Sequence, residues 1–137
     1  MMLVDSNVLL DLITGDPVWA EWSVDRLDVA ARSGPLVIND VIFAELSVRY
    51  ARIEALELFL SEAGLELVPI PRPALFLAAK AFQNYRKAGG QRSGVLPDFF
   101  IGAHAAVSNI TLLTRDARRY RTYFPTVKLV APDSVGE

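Results

Sequence analysis

Residues 3–11 read LVDSNVLLD, a short apolar run that ends on Asp5 and passes at once into residues with helical spacing. The run predicts a strand over residues 2–5, and the residues after it predict a short helix over 7–13. A buried strand that carries an acid at its carboxyl end and leads directly into a helix is typical of a parallel α/β sheet.

The rest of the chain repeats this alternation. Further strands are predicted at residues 36–38, 65–70, 111–113 and 127–130. Helices are predicted at residues 19–31, 41–50, 53–63, 73–88, 97–108 and 116–124, with Asn39 or Asp40 capping the second of these and a flexible basic loop at 89–94. Because strands separated by helices need crossover connections, the predicted fold is α/β: one domain over residues 1–137, with a central parallel sheet of about four or five strands and helices on both faces.

Composition excludes several classes of site. The chain has 137 residues, 52% of them hydrophobic, which fits one domain with its own core. It has no cysteine and one histidine, which excludes disulfides, thiolate zinc sites, a cysteine nucleophile and a histidine-rich zinc site. No apolar run reaches the roughly 18 residues of a membrane span, and the first apolar stretch contains Asp5, unlike a signal peptide. We therefore expect a cytoplasmic protein without a membrane partner.

Charge is divided unevenly along the chain, although the net charge is only −2. Residues 1–71 carry four arginines against twelve acidic residues, whereas residues 72–128 carry seven arginines and three lysines against Asp98 and Asp116. Arginine binds phosphate through two parallel hydrogen bonds, so the basic half is a candidate contact surface for a polyanion. Mixed, solvated helix faces are the alternative explanation.

Three aspartates are placed where open parallel sheets bind ligands, outside the carboxyl ends of the strands. Asp5 follows the first strand, Asp116 follows the strand that ends near Thr114, and Asp98 begins a helix after the basic loop. Each also has an ordinary structural explanation: Asp98 and Asp116 as helix caps, and Asp5 in a turn with the two residues after it.

Glu45 is a fourth candidate. On the predicted helix it lies between Ile42 and Leu46, at the border of the apolar stripe, where a carboxylate needs a cation. An ion pair with Arg49 at the i+4 position is the structural alternative. If all four carboxylates converge, they repel one another unless a cation is present, and an all-oxygen site favours Mg²⁺ or Mn²⁺. Beside a basic half-chain, such a site suggests phosphodiester hydrolysis.

At these residues the sequence resembles a PIN domain, in particular the small VapC-type toxins of toxin–antitoxin pairs. The resemblance covers essentially the whole chain and is carried by residues 3–11, the helix with Glu45, residues 97–103 (PDFFIGA) and residues 113–116 (LTRD). The family's acidic positions fall on Asp5, Glu45, Asp98 and Asp116.

The resemblance implies an endoribonuclease that depends on Mg²⁺ or Mn²⁺. Asp5, Asp98 and Asp116 would hold the metal, Glu45 would help to bind it or orient the attacking water, and Asn7 and Thr114 would position the carboxylates. It also implies an RNA substrate, a homodimer and an antitoxin protein whose C-terminal segment enters the active-site groove.

The remaining polar and aromatic candidates are given structural roles, with one exception. We expect His104 to face away from the metal, Asp11 to be a solvated helix acid, Asp40 to be a cap, and Trp19 and Trp22 to pack in the core or an interface. The exception is the arginines of the basic half, and Arg92, Arg115, Arg118 and Arg119 are the candidate RNA contacts.

Two other readings stay open. One is a non-catalytic module for RNA binding or assembly on a PIN scaffold. The other is a receiver-type phosphoacceptor domain, which also has an acidic Mg²⁺ pocket but needs an acidic pair after the first strand and a lysine after the last. Here those strands end in Asp5-Ser6-Asn7 and Ala131-Pro132.

Overall fold

Five parallel strands form the sheet of this computed structural model, which describes residues 1–91 and 93–132. The strands are β1 (Met2–Val4), β2 (Leu36–Ile38), β3 (Leu65–Leu67), β4 (Thr111–Leu113) and β5 (Leu129–Val130). Their order across the sheet is β3-β2-β1-β4-β5, and all neighbouring pairs run parallel. The predicted parallel α/β fold is confirmed.

Helices connect the strands. Among the described residues there are seven: α1 (Ser6–Thr14), α2 (Ala20–Ser33), α3 (Asp40–Ser47), α4 (Ile53–Ala63), α5 (Arg72–Lys87), α6 (Leu96–Ser108) and α7 (Arg118–Tyr123), with a 3₁₀ turn at Ser93–Val95 before α6. Leu3 and Val4 are both fully buried, as are Leu112 and Leu113. Successive strand residues point to opposite faces, so both faces of the sheet are covered. No helix of this part of the chain is long and apolar enough to cross a membrane.

The strand order reverses beside β1. The chain moves from β1 to β2 and β3 on one side and then crosses to β4 and β5 on the other. Val4 pairs with Leu113, and the Asp5 amide donates to the Leu113 carbonyl at 2.9 Å, so the two strands end side by side. In open α/β sheets such a switch point opens the crevice in which ligands bind.

Several element ends differ from prediction. The helix predicted over 41–50 ends at Ser47, and the chain continues in tighter turns, with the Arg49 amide bonded to the Leu46 carbonyl and the Tyr50 amide to the Ser47 carbonyl. Asn39 is its N-cap, accepting from the Ile42 amide, so the cap role expected of Asp40 is wrong. The strand predicted over 65–70 ends at Leu67, because its neighbour β2 ends at Ile38, whose carbonyl accepts the last ladder bond from the Val68 amide at 2.8 Å.

An aromatic cluster fixes the helices that flank the crevice. Phe99 on α6 lies within 5.2–5.9 Å, between ring centroids, of aromatic rings on α5 and at the end of α7: Phe82, Tyr85, Tyr123 and Phe124. Gly102 is pressed against this cluster, since a Cβ at that position would lie 2.3 Å from Phe124 Cδ2. The orientation of α7 relative to α6 is therefore set by side-chain packing.

Candidate active site

The side chain of Asp5 turns away from its own helix and into the crevice. Asp5 is the N-terminal flanking residue of α1, and its carbonyl accepts from the Val8 amide at 3.2 Å, so the expected turn forms through the backbone while the side chain makes no capping bond to the helix. Its Oδ2 accepts hydrogen bonds from Thr114 Oγ1 at 2.9 Å and from Tyr120 Oη at 2.8 Å. The carboxyl is 3% exposed. The residues that directly follow β1 and β4 thus meet a residue of α7 at one oxygen atom.

The protonation of Asp5 is strongly perturbed. Burial raises the pKa of Asp5 to about 7, and the charges of Asp98 and Glu45 make smaller upward contributions. The hydrogen bonds from Tyr120 and Thr114 lower the pKa and offset part of this rise. A buried carboxyl beside two other acids favours its neutral form unless a cation joins it. Pronounced shifts of this kind in a crevice mark candidate functional residues.

Glu45 reaches the same crevice from α3. Its Oε1 accepts a hydrogen bond from Ser6 Oγ at 2.8 Å. Burial raises the pKa of Glu45, the bond from Ser6 lowers it, and the charge of Asp98 raises it. Arg49 lies beyond the end of α3, and none of the ion pairs within residues 1–91 and 93–132 joins it to Glu45. The structural alternative for Glu45 is therefore wrong.

Asp98 lies in the first turn of α6 and does not cap it, because the residue before the helix is Val95. Its Oδ2 accepts from Arg119 Nη1 at 2.5 Å. Burial raises the pKa of Asp98, the charge of Arg119 and its hydrogen bond lower it, and the charge of Asp116 raises it. Each of the four acids therefore lies within electrostatic reach of at least one other.

Thr114 and Asn7 join the first acid to the last. Thr114 Oγ1 accepts from the Asp116 amide at 3.1 Å while it donates to Asp5. Asn7 Nδ2 donates to Thr114 Oγ1 at 3.3 Å, and Asn7 Oδ1 accepts from the Arg115 amide at 3.0 Å. These bonds fix the turn between β4 and α7, and Asp116 sits exposed on that turn, one residue before the N-cap Ala117.

The four acids lie near one another but do not form a complete metal-binding site. In the part of the chain that the structure describes, no three acidic or histidine side chains are arranged to hold one ion as they stand. The available ligand atoms are carboxylate oxygens, which suit Mg²⁺ or Mn²⁺. Burial first, and then repulsion between the acids, raises the pKa values of Asp5 and Asp98, and a cation would stabilise their charged forms. The donor set fits a hard divalent cation, and Arg119 now neutralises Asp98 in its place.

Asp11 is not the solvated helix acid that we expected. It is 2% exposed, and Arg115 binds it through two hydrogen bonds, Nε to Oδ2 at 2.9 Å and Nη2 to Oδ1 at 3.0 Å. Ser23 Oγ on α2 donates to the same Oδ2 at 2.9 Å. The expectation failed because the partner of Asp11 is distant in sequence.

The guanidinium of Arg115 also lies 5.3 Å from the centre of the Trp19 ring, which in turn packs edge to face on Trp22 at 6.2 Å. Both tryptophans are half-buried. This packing agrees with the structural role that we expected for the pair.

The other candidate arginines lie in different environments. Asp116, Arg118 and Arg119 line an open cleft of about 480 Å³, and Arg118 is exposed there. Arg119 is held by Asp98. Arg92 lies outside the described residues.

His104 has the structural role that we expected. It is 3% exposed, and its Nδ1 lies 3.0 Å from Asn39 Nδ2, while Asn39 Oδ1 accepts from the Ile42 amide. Because that cap fixes the amide of Asn39, Nδ1 of His104 must be the acceptor and the ring is neutral. Burial lowers the pKa of His104, against a smaller upward effect of Asp40.

Sequence reasoning missed two residues at the crevice, Tyr120 and Ser6, and did not foresee that Arg119 pairs with Asp98. Ser6 directly follows Asp5 and could have been suspected from its place at a strand end. Tyr120 and Arg119 are neighbours of the acids because the turn after β4 directs α7 back across the crevice. No sequence pattern indicates the direction of α7.

Comparisons with known proteins agree with this architecture. The PIN domain family model matches residues 2–125, whereas no curated protein sequence shows significant similarity. The fold resembles VapBC2 from Rickettsia felis, solved with a DNA fragment from its promoter (TM-score 0.73, 21% identity, 96% of this chain and 98% of that chain).

Two further structures are similar. VapBC-1 from nontypeable Haemophilus influenzae gives a TM-score of 0.69 at 17% identity, over 95% of this chain and 96% of that chain. A toxin–antitoxin complex from Klebsiella pneumoniae gives 0.64 at 22% identity, over 96% and 98%. At these identities the likeness establishes the fold.

Proposed function

The chain belongs to the PIN domain family, and from that premise we propose that it is a divalent-metal-dependent endoribonuclease, the toxin of a toxin–antitoxin pair. The proposed catalytic residues are Asp5, Glu45, Asp98 and Asp116. The family match leaves the receiver-type alternative without support.

One observation carries the proposal: four carboxyls from four separate segments lie near the crevice between β1 and β4, and each is within electrostatic reach of at least one other. Asp5 follows β1, Glu45 comes from α3, Asp98 from α6, and Asp116 from the turn after β4. Burial and mutual repulsion raise the pKa of Asp5 to about 7, so the group is electrostatically unfavourable without a cation. A purely structural cluster would be expected to pair each of its charges, as Arg115 pairs Asp11, whereas among the ion pairs of the described residues only Asp98 of the four acids has a partner, Arg119.

Mg²⁺ or Mn²⁺ would be held by Asp5, Asp98 and Asp116, with Glu45 beside them. When bound, such a cation activates water and neutralises charge on the phosphate. Thr114 and Asn7 keep the carboxyls of Asp5 and the backbone of Asp116 in fixed relation.

The basic half of the chain would guide the RNA backbone. Arg118 is exposed at the cleft beside Asp116 and is placed to meet a phosphate. Arg115 is already paired with Asp11, and Arg119 with Asp98. A phosphate would therefore share each arginine with its aspartate or replace that aspartate. Arg92 completes the proposed set of contacts, and such contacts position RNA without reading its bases.

The proposed protein partner is an antitoxin. The support is that the similar structures are described as VapBC proteins and as a toxin–antitoxin complex. A homodimer and a cytoplasmic location belong to the same proposal. Co-expression with a small DNA-binding protein encoded beside the gene, followed by co-purification, tests the partnership.

The test of the activity is RNA cleavage by the purified chain with Mg²⁺ or Mn²⁺, with EDTA, and without added metal. Cleavage of structured or single-stranded RNA that stops with EDTA is the expected result. Equal cleavage with and without chelator would contradict the metal dependence. RNA binding without cleavage in any metal would instead favour the non-catalytic module.

A further inference from the structure

The hydroxyl of Tyr120 is the least expected polar group of the crevice. Tyr120 lies on α7 and is 2% exposed, yet its Oη points at the Asp5 carboxyl and donates to Oδ2 at 2.8 Å. A buried hydroxyl is costly unless it is hydrogen-bonded, so this contact stabilises a tyrosine at the position. A phenylalanine would bury the same ring without that requirement. The Tyr120 hydroxyl also lowers the pKa of Asp98 by hydrogen bonding.

The two oxygens of Asp5 consequently differ. Oδ2 accepts from both Tyr120 and Thr114, at 2.8 and 2.9 Å. Oδ1 has Ser6 Oγ at 3.5 Å, and that hydroxyl makes its shorter contact with Glu45 at 2.8 Å. Since a carboxylate oxygen has two lone pairs, Oδ2 is saturated by its two donors while Oδ1 keeps its capacity to bind another group.

We propose that Tyr120 is a positioning residue that, with Thr114, holds Oδ2 of Asp5 and so leaves Oδ1 as the single oxygen through which Asp5 binds the divalent cation. The inference rests on the proposed function and deepens it. Hydrogen-bond partners of metal ligands fix the orientation of those ligands, and their removal typically weakens metal binding about 10–100-fold.

The hydroxyl is not needed to anchor α7. Tyr123 and Phe124 pack on Phe99 with ring centroids at 5.2 and 5.9 Å, and this packing already fixes the helix. Tyr120→Phe keeps the buried ring and removes one oxygen atom. We therefore expect the variant to fold with nearly unchanged stability in the absence of metal.

The first experiment measures Mn²⁺ affinity without RNA, by electron paramagnetic resonance of free Mn²⁺. Tyr120→Phe is expected to weaken the Kd about 10-fold or more, while its metal-free melting temperature stays close to that of the wild type. RNA cleavage by the variant should recover toward the wild-type rate at saturating Mn²⁺, so that the defect lies in metal affinity. Tyr50→Phe, whose ring packs on Phe59 away from the crevice, is the matched control.

A second measurement is made on the wild-type protein, and the variant serves only to assign the resonance. The chain has four tyrosines, and with ¹³Cζ-labelled tyrosine a Mg²⁺ titration should shift a resonance that is missing in Tyr120→Phe. Unchanged Mn²⁺ affinity in Tyr120→Phe, or a Tyr120 resonance that ignores Mg²⁺, would overturn this inference while the proposed function stands. Wild-type protein that binds no Mn²⁺ would overturn both.

Discussion

Arg115 binds the buried carboxyl of Asp11 through two parallel hydrogen bonds, at 2.9 and 3.0 Å. The pair joins α1 to the turn that carries Asp116, so it acts on both stability and the crevice. Asp11→Asn removes the charge that Arg115 neutralises, and we expect a loss of about 2 kcal/mol in the free energy of unfolding. This is below the range for fully buried pairs, because the Arg115 side chain keeps 29% exposure.

Urea unfolding of the metal-free protein measures this loss. Asp25 pairs with Arg26 on the surface of α2 at 2.7 Å, and Asp25→Asn is the matched control, with an expected change below about 1 kcal/mol. Equal stability of the two variants would show that the buried pair contributes no more than an exposed one.

Removing single acids at the crevice should abolish most of the activity. We expect Asp5→Asn, Asp98→Asn and Asp116→Asn each to lower the RNA cleavage rate about 100-fold or more, because each removes a proposed metal ligand. Initial rates at saturating Mg²⁺ are compared after circular dichroism has shown that the variants are folded. Asp28→Asn, on the exposed side of α2, is the control. A crevice variant that cuts at the control rate would remove that aspartate from the site.

The stability of the metal-free protein should depend on the ionisation of Asp5. Burial raises the pKa of Asp5 to about 7, whereas an unfolded aspartate titrates near 3.9. Between these values the folded protein keeps a proton that the unfolded chain has released, so this contribution to stability falls as the pH rises to about 7 and then levels off. Each pKa unit corresponds to about 1.4 kcal/mol, so the change is at most about 4 kcal/mol.

Asp5→Asn should remove that dependence and be more stable than the wild type above about pH 7. Urea unfolding in EDTA near pH 5 and near pH 8 gives the comparison, and the difference between the two proteins isolates Asp5 from other titrating groups such as His104. If wild type and variant lose stability in parallel over this interval, Asp5 titrates normally.

Gly102 should tolerate no side chain. A Cβ there would lie 2.3 Å from Phe124, whose ring is confined by Phe99, so relief requires α6 and α7 to separate. We expect Gly102→Ala to lower the free energy of unfolding by about 1–3 kcal/mol. Gly94, with open space around its position, provides the control Gly94→Ala. A melting temperature equal to that of the control would mean that the two helices are not tightly packed at this point.

The order of strands and helices could be predicted because each unit has a local signature. The run before Asp5 and the run before Thr114 are apolar, short and followed by helical spacing, and they became neighbouring central strands. The prediction that their trailing acids approach each other required only the geometry of parallel sheets. Errors at element ends came from local backbone geometry, such as the tighter turns that follow Ser47, which periodicity does not register.

The partners of the acids could not be predicted in the same way. Asp11 and Arg115 are 104 residues apart, and Asp5 and Tyr120 are 115 residues apart. Such pairs depend on the direction in which α7 leaves the sheet, and that direction depends on packing around Phe99. Helical spacing predicted that Asp11 lies on a helix, but it did not indicate which side chain would pair with Asp11 and bury it.

Substitutions of the arginines in the basic half should differ in their effect on the salt dependence of RNA binding. Arg118 is exposed at the cleft, whereas Arg115 is bound by Asp11. On a single strand each lost phosphate contact should flatten the plot of log affinity against log salt by about 0.7, so we expect this change from Arg118→Ala, largely irrespective of RNA sequence. Arg115→Ala should chiefly lower stability and change the slope less.

The measurement is RNA affinity by fluorescence anisotropy over a salt series, with Ca²⁺ in place of Mg²⁺ to suppress cutting. Arg32→Ala, on the exposed surface of α2 in the acidic half, is the control and should leave the slope unchanged. Asp116→Asn should also leave the slope nearly unchanged, because Asp116 is a proposed metal ligand and would contribute to the chemistry more than to the electrostatic attraction of the RNA backbone. Each phosphate contact releases counterions, so losing one must lower the salt dependence of binding. If Arg118→Ala and Arg32→Ala give the same slope, Arg118 makes no phosphate contact, and a solvated surface is the better explanation for the basic half.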